Sequence, residues 1–467
     1  MKIFCLIILQ ISTYSSRLNA IISQYFENPV TENVNISMSV RNIKTGDEVY
    51  SYQSKMSLPP ASTLKLITTG TALELLGAEY KFKNYIKTNG PIQNGMLNGD
   101  LIISSEGDFS FGSKRLGLNS LKDIVDILKQ NGINTVNGSI KIEENRSFDV
   151  PNDWLVGDIG NYFGAYPRQF NFNENQYAVY FNGGNEIGDS ATISKIVPYS
   201  ADWKIQNLVK TADRGTGDQV NIVNLAPSNV IKMIGTVPLK SVNFEIKGSI
   251  PDISPVFVSL LKSEMLKNGI NHRTDAISSN SVISDTLAII ESPNLATIAE
   301  HCNFRSINFF VDGLSNYLVQ NAPDSVKLFD VFLKNYWQKK GLKLSNFSFK
   351  DGSGLSPMNT LSTNTMTSFL YLMSSSTQFN SFLASIPKVG KSGTVASMDP
   401  TGITKGKIYA KSGSLTGTRN YAGYFLNENN ELFSFCIFAN GINDTAQLFS
   451  RQLLQNLMFK MIDLSQE

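Results

Sequence analysis

Pro59-Pro60-Ala61-Ser62-Thr63-Leu64-Lys65 runs straight into the largely apolar stretch Leu66-Ile67-Thr68-Thr69-Gly70-Thr71-Ala72-Leu73-Glu74-Leu75-Leu76. Prolines favour the turn before a helix and its first position, and the apolar run that follows predicts a helix starting near Ser62. At that spacing Ser62 and Lys65 are one turn apart and share a face. A serine hydroxyl is a weak nucleophile at its free pKa and needs a base within hydrogen-bond reach; Lys65 supplies one. Free amide N–H groups and the positive end of the helix favour a developing oxyanion at Ser62. The spacing alone is a weak signal. Ser259-Leu-Leu-Lys262 repeats it, and a serine at a helix start also serves as an ordinary cap.

A chain of 467 residues has room for two or three domains. Lys2, the apolar run Ile3 to Leu9 and a polar stretch ending Leu18-Asn19-Ala20 predict a secretory signal peptide over residues 1–20. That run is too short to span a bilayer, and no later segment is long enough either, so no integral membrane segment is expected. Without Lys2 and Arg17, 39 basic residues face 39 acidic ones, a balance that argues against a nucleic-acid partner. Cys302 and Cys436 read as buried free thiols. His272 and His301 lie far from any cysteine pair or acidic cluster, so neither a metal site, a cofactor nor a Ser-His-Asp triad is expected.

Alternation over 33–52 predicts a hairpin ahead of the Ser62 helix. From 81 to 283 short strand-like runs alternate with Asn/Gly turns, with one clear helix near Leu121 to Gln130; this is a mostly β inserted region, expected to form two small subdomains. Helical periodicity returns at Asn294 to Tyr317, Ser325 to Lys340 and Thr363 to Ser374. Strands follow at Lys405 to Lys411, Arg419 to Leu426 and Leu432 to Ala439, with a closing helix at about Thr445 to Ile462.

Two further polar clusters fall in these later segments. Ser306-Ile307-Asn308 lies in helical context, and residues two apart do not share a helix face, so the pair works together only at a loop or helix end. Ser278-Ser-Asn280 and Ser292-Pro-Asn294 have the same pattern. Lys411-Ser412-Gly413-Ser414 is placed at the end of an expected strand, where a lysine can hold a substrate carboxylate and small residues admit an extended substrate along the strand edge. Lys391-Ser392-Gly393-Thr394 is a competing copy, but it precedes no strand of comparable length.

Ser-x-x-Lys, Ser-x-Asn and Lys-Thr/Ser-Gly in this order mark penicillin-binding proteins and serine β-lactamases. The chain resembles, over essentially its whole mature length, the D-alanyl-D-alanine carboxypeptidase/endopeptidase family typified by penicillin-binding protein 4, peptidase family S13. Pro60-Ala-Ser62-Thr-Leu-Lys65, Phe163-Gly-Ala165 with Asn173-Glu174-Asn175, Asp351-Gly-Ser353-Gly-Leu355-Ser356 and Lys411-Ser-Gly-Ser414-Leu-Thr-Gly carry that resemblance, together with the long insertion. Ser412 replaces the usual threonine and keeps its hydroxyl. Ile307 stands where a polar residue is common, and Ser105-Glu-Gly-Asp108 only loosely resembles the family's Gly-Gly-Asp segment.

The resemblance implies an α+β fold: a penicillin-binding-protein/serine β-lactamase-like transpeptidase domain, an antiparallel sheet flanked by helices, formed by residues 21–80 and 284–467 around the 81–283 insertion. It implies hydrolysis of D-Ala-D-Ala stem peptides of peptidoglycan through a Ser62 acyl-enzyme, inhibition by β-lactams, and a periplasmic location. It further implies Lys65 as base, with Lys411 depressing its pKa. Ser306 would relay a proton, Asn308 orient Lys65 and substrate, and Lys411 with Ser412 bind the terminal carboxylate. Gly413 lines the strand edge, and the amides of Ser62 and Ser414 form the oxyanion hole. Asp351 reads as a structural turn cap. A β-lactamase or esterase on the same fold, or a silent cell-wall binding protein, are the alternatives.

Overall fold

The computed structural model describes residues 2–144, 150–224, 228–274, 284–323, 325–344 and 347–465. The Ser278-Ser-Asn280 pattern lies outside them. The chain divides into two compact units, one formed by Met1–Tyr80 with Leu295–Glu467 and the other by Lys81–Asn294.

The first unit is built on a five-stranded antiparallel sheet. Its strands are β1 (Asn35–Asn42), β2 (Glu48–Tyr52), β3 (Ile408–Leu415), β4 (Thr418–Leu426) and β5 (Leu432–Asn440), in spatial order β3-β4-β5-β1-β2. The two distant parts of the chain meet where β1 pairs β5, Asn35 opposite Asn440 and Val40 opposite Phe435. Successive side chains in a strand point to opposite faces. Ile36, Met38 and Val40 therefore join Phe433, Phe435 and Ile437 in one apolar cluster, together with Leu453, Leu454 and Leu457 of α6 (Gln447–Lys460).

The intervening serines face the other way and are buried too. Ser37 and Ser39 meet the hydroxyls of Thr363 and Thr367 at 2.8 Å, on α5 (Thr363–Met373). Ser434 donates to the Thr367 carbonyl. What reads in sequence as a half-exposed alternating strand is covered on both faces, because paired hydroxyls satisfy each other. Ser362 caps α5 by accepting from the Thr365 amide.

Helix α1 spans Lys2–Phe26 without a break at residue 20. Leu18 and Ile22 are buried in the apolar cluster, the Tyr50 hydroxyl donates to Asn19 Oδ1, and Tyr25 shares a hydrogen bond with Ser450 of α6. A boundary at Ala20 would strip Tyr14, Leu18 and Asn19 from this packing.

Helix α2 (Lys65–Leu76) is buried all round from Lys65 to Leu73, as befits a central helix. Its polar residues are satisfied locally: Thr69 and Thr71 donate to the carbonyls of Lys65 and Ile67, and Thr68 donates to Gly352. Gly70 faces Phe369 so closely that a Cβ would lie 2.9 Å from the ring.

The segment expected as one helix from Asn294 to Tyr317 is two, α3 (Leu295–Phe304) and α4 (Asn308–Gln320). The strand expected at Lys405–Lys411 starts at Ile408 and runs to Leu415, so Lys411-Ser-Gly-Ser414 lies inside it rather than at its end.

In the second unit, Asp285–Glu291 pairs antiparallel with Lys83–Thr88, which moves the boundary from 284 to 295. The described residues form four small sheets and, beside Ser120–Gln130, a second long helix at Ile253–Lys267 capped by Asp252. Many of its buried apolar side chains, from Ile86 to Ile270, lie in one cluster.

Candidate active site

Ser62 sits in a tight turn, Ala61–Leu64, that leads into α2 at Lys65. Thr63 Oγ1 closes the turn on the Pro60 carbonyl at 2.7 Å. Ala61 has φ +47, a left-handed conformation costing about 1 to 2 kcal/mol for a residue with a Cβ. Two neighbours hold it there. Gly354, at φ +82, approaches so closely that a Cβ would lie 2.0 Å from the Ala61 carbonyl oxygen, and Asn420 of β4 donates to the Pro59 carbonyl at 2.8 Å.

Lys65 is fully buried. Its Nζ is 3.1 Å from Ser62 Oγ, 2.7 Å from Asn308 Oδ1 and 2.5 Å from the Ser353 carbonyl. Burial pulls its pKa down to about 8 against the opposing pull of Asp312, Asp351 and Cys302. Lys411 is buried as well, and burial together with repulsion from Lys65 pushes its pKa well below the usual lysine range.

Ser306 occupies the break between α3 and α4 with φ +55. This left-handed residue makes a working pair of Ser306 and Asn308: the chain turns, and the serine points to Lys411 while the asparagine points to Lys65. Lys411 Nζ lies 2.9 Å from Ser306 Oγ and 2.7 Å from the Ser412 carbonyl. Ser62, Ser306, Asn308 and Ser412 are partly exposed, whereas the two lysines are buried beneath them.

Gly413 packs on the Ser62 turn; a Cβ there would stand 2.9 Å from the Pro60 oxygen and 3.1 Å from the Ser62 amide nitrogen. Strand β3 is an edge strand, and its outer edge is partly covered, Ala410 donating to the Pro387 carbonyl and Ile408 accepting from Val389. Outward amides recur at every second residue, which puts the Ser414 N–H on the same edge beyond that cover. Ser414 Oγ accepts from Arg419.

The competing copy lies elsewhere in its lysine but not in its threonine. Lys391 is exposed, and its Nζ lies beside Gly406. Thr394 Oγ1, however, is 2.7 Å from Ser412 Oγ, a contact no sequence reading pointed to. Asp351 accepts from the amides of Gly354 and Ser356 and from Asn359 Nδ2 and so shapes the glycine turn. The Ser353 carbonyl and Asp312 are further members that sequence did not indicate; a backbone oxygen has no sequence signal, and Asp312 reads as one polar position on an apolar helix. Ser259 and Lys262 lie on the inserted unit's helix, and Ser292 and Asn294 belong to that unit as well. Among the described residues no group of three or more His, Cys, Asp or Glu side chains is placed to hold a metal ion.

Comparison with known proteins gives a consistent result. The D-alanyl-D-alanine carboxypeptidase DacB of Haemophilus influenzae is 24% identical over 422 residues, covering 88% of this chain and 86% of the relative. The crystal structure of penicillin binding protein 4 from Haemophilus influenzae, also solved complexed with a β-lactam, superposes with a TM-score of 0.76 at 23% identity, covering 94% of this chain and 99% of the other. A predatory endopeptidase of Bdellovibrio bacteriovorus, acylated by penicillin G, gives a TM-score of 0.52 at 18% identity, covering 92% and 93%. Residues 18–459 match the D-Ala-D-Ala carboxypeptidase 3 (S13) family as a whole, and the chain belongs to that family.

Proposed function

We propose that Ser62 is the nucleophile of a serine DD-peptidase that hydrolyses D-Ala-D-Ala stem peptides of peptidoglycan, as a carboxypeptidase, a DD-endopeptidase or both. The observation that carries this reading is the set of partners around Lys65. A neutral amine has two N–H donors and one lone pair. Asn308 Oδ1 and the Ser353 carbonyl only accept, so they take the two N–H groups, and the lone pair is left for the Ser62 hydroxyl proton.

Ser62 Oγ attacks the carbonyl of the penultimate D-alanine while its proton passes to Lys65 Nζ. The amides of Ser62 and Ser414 bind the resulting oxyanion; losing one such donor costs about 3 to 4 kcal/mol. Ser306 Oγ, hydrogen-bonded to Lys411, carries a proton to the leaving amine of the terminal D-alanine. That proton is replaced by the one Lys65 accepted, which leaves Lys65 neutral; water then attacks the acyl carbon, Lys65 takes the water's proton, and this proton passes to Ser62 Oγ as the carboxylate product leaves.

Two buried lysines that repel each other are not both charged at neutral pH. A substrate carboxylate beside Lys411 and Ser412 favours the charge on Lys411, and this in turn holds Lys65 neutral. A β-lactam carries a carboxylate in the corresponding place, which supports acylation of Ser62 by β-lactams. The purified protein should release D-alanine from pentapeptide muropeptides or cleave cross-linked dimers, and Ser62→Ala should do neither; muropeptide chromatography reads both.

Lys2, the apolar run Ile3 to Leu9 and the polar stretch ending Leu18-Asn19-Ala20 support removal of residues 1–20 as a leader and export to the periplasm. No helix among the described residues is long and apolar enough to cross a membrane.

A further inference from the structure

Asp312, on α4 one turn beyond Asn308, is buried and has no place in the mechanism above. Its Oδ1 accepts from two successive amides, Gly352 at 3.0 Å and Ser353 at 2.9 Å. The carbonyl of that same Ser353 is the oxygen 2.5 Å from Lys65 Nζ. Gly352 is pressed close to α4, where a Cβ would lie 2.7 Å from the Ser315 side chain, and its own carbonyl accepts from Thr68 of α2. The turn is thus pinned from α4 and from α2 at once.

We propose that Asp312 is a positioning residue for the acylation step: through the Gly352 and Ser353 amides it sets the Ser353 carbonyl as the second acceptor of Lys65, and so aims the lysine lone pair at Ser62. Asn308 and Asp312 then act as one device on a single helix, four residues apart on the same face. The asparagine contacts Lys65 directly, and the aspartate does so through the backbone of the facing turn.

The role is one of hydrogen bonding rather than charge. Asp312 is fully buried, and beside the two amides the Ser353 side chain faces its carboxyl; burial disfavours a carboxylate. The groups facing it are Lys65 on α2, Asp351 in the adjoining turn and Cys302 on α3, with Lys411 on β3 beyond Lys65; burial first and the Asp351 charge second push its pKa well above the carboxylate range. Oδ1 accepts from both amides. An amide at this position keeps the same acceptor and carries no charge.

This inference rests on Lys65 as the base for Ser62. Its test is the pre-steady-state acylation of the full-length protein by nitrocefin or benzylpenicillin, resolved into the saturation constant and the limiting rate, from pH 5 to 10. Asp312→Asn should acylate at close to the parent rate with its rising pH limb unmoved. Asp312→Ala should bind with a similar saturation constant but acylate about 10²-fold more slowly, the usual consequence of misaiming a reacting group by about 1 Å. If Asp312→Ala does not fold, Asp312→Ser, whose hydroxyl is too short to span both amides, replaces it with the same expected loss. An alanine or serine variant as fast as the parent overturns the proposal. So does an asparagine variant that is slowed as much as alanine or whose pH limb moves, since a charge would then be what matters. A parent protein that does not acylate at all contradicts the function itself, a different outcome from a parent that acylates and is indifferent to Asp312.

Discussion

Lys65 Nζ and Asn308 Oδ1 lie 2.7 Å apart although 243 residues separate them in the chain. The contact exists because Ser306, at φ +55, breaks the helix just before Asn308 and turns the new helix start toward α2. Replacing Asn308 with Ala leaves one N–H of Lys65 without an acceptor and frees the amine to turn from Ser62. Acylation by benzylpenicillin should fall about 10²-fold with little change in the saturation constant. Asn308→Asp should instead place a carboxylate against Lys65, favour its ammonium form and shift the rising limb of the pH profile to higher pH. Stopped-flow acylation against pH checks both.

The base must be neutral to accept the Ser62 proton, and burial holds the Lys65 pKa at about 8. Acylation should therefore rise with pH and level off above about 8. The same shift bears on stability. The lysine of the unfolded chain titrates near 10.5, so between about 8 and that value the unfolded state binds the extra proton, and this group makes the fold more stable as pH rises through the window.

Lys411→Ala should lose the terminal-carboxylate site and the partner of Ser306 together, lowering the second-order rate on D-Ala-D-Ala peptides by at least about 10²-fold. Lys391→Ala should leave that rate within about twofold, as expected for an exposed residue away from the reacting groups. Steady-state hydrolysis of a single peptide substrate by the two variants is enough.

Gly413→Ala puts a methyl about where the Pro60 oxygen and the Ser62 and Thr63 amides already stand, at 2.9 to 3.1 Å. Strand β3 must then draw back from the nucleophile turn, opening the gap between the Ser62 and Ser414 amides. A loss of about 10²-fold or more in acylation is expected, the scale of one oxyanion donor, with a melting temperature near that of the parent.

Leu18, on α1, is buried in the apolar cluster of the first unit. Leu18→Ala should destabilise the protein by about 2 to 5 kcal/mol, as for other buried leucines. Denaturant unfolding measures it; a value near zero would mean that this part of α1 is not part of the folded body.

The sequence signals for this site were unequal. Ser62 and Lys65 were legible because a helical turn brings residues three apart together whatever surrounds them. Lys411 was legible through its small neighbours and the strand around it, and Gly413 fits because its missing Cβ is what lets the strand touch the nucleophile turn. The break at Ser306 was not, since Arg305-Ser306-Ile307 has no glycine or proline and only the tertiary contacts of Ser306 and Asn308 sustain it. Nor were the Ser353 carbonyl, Asp312 or Thr394, which act through backbone geometry or across long sequence distances. In the fold, alternation marked β1, and the strand-like runs Arg419 to Leu426 and Leu432 to Ala439 marked β4 and β5. It did not show that Ser37 and Ser39 are buried against α5, because a hydroxyl that finds another hydroxyl reads like one that meets water. The same apolar and polar residues that suit a signal peptide also suit a helix packed on a sheet, as in α1.

The central claim is that Ser62 forms the acyl-enzyme, and intact-protein mass spectrometry of the purified protein with and without benzylpenicillin tests it most directly. The account predicts a mass increase of one penicilloyl group on the parent and none on Ser62→Ala. An adduct of equal yield on Ser62→Ala, or no adduct and no β-lactam turnover by the folded parent, would contradict it.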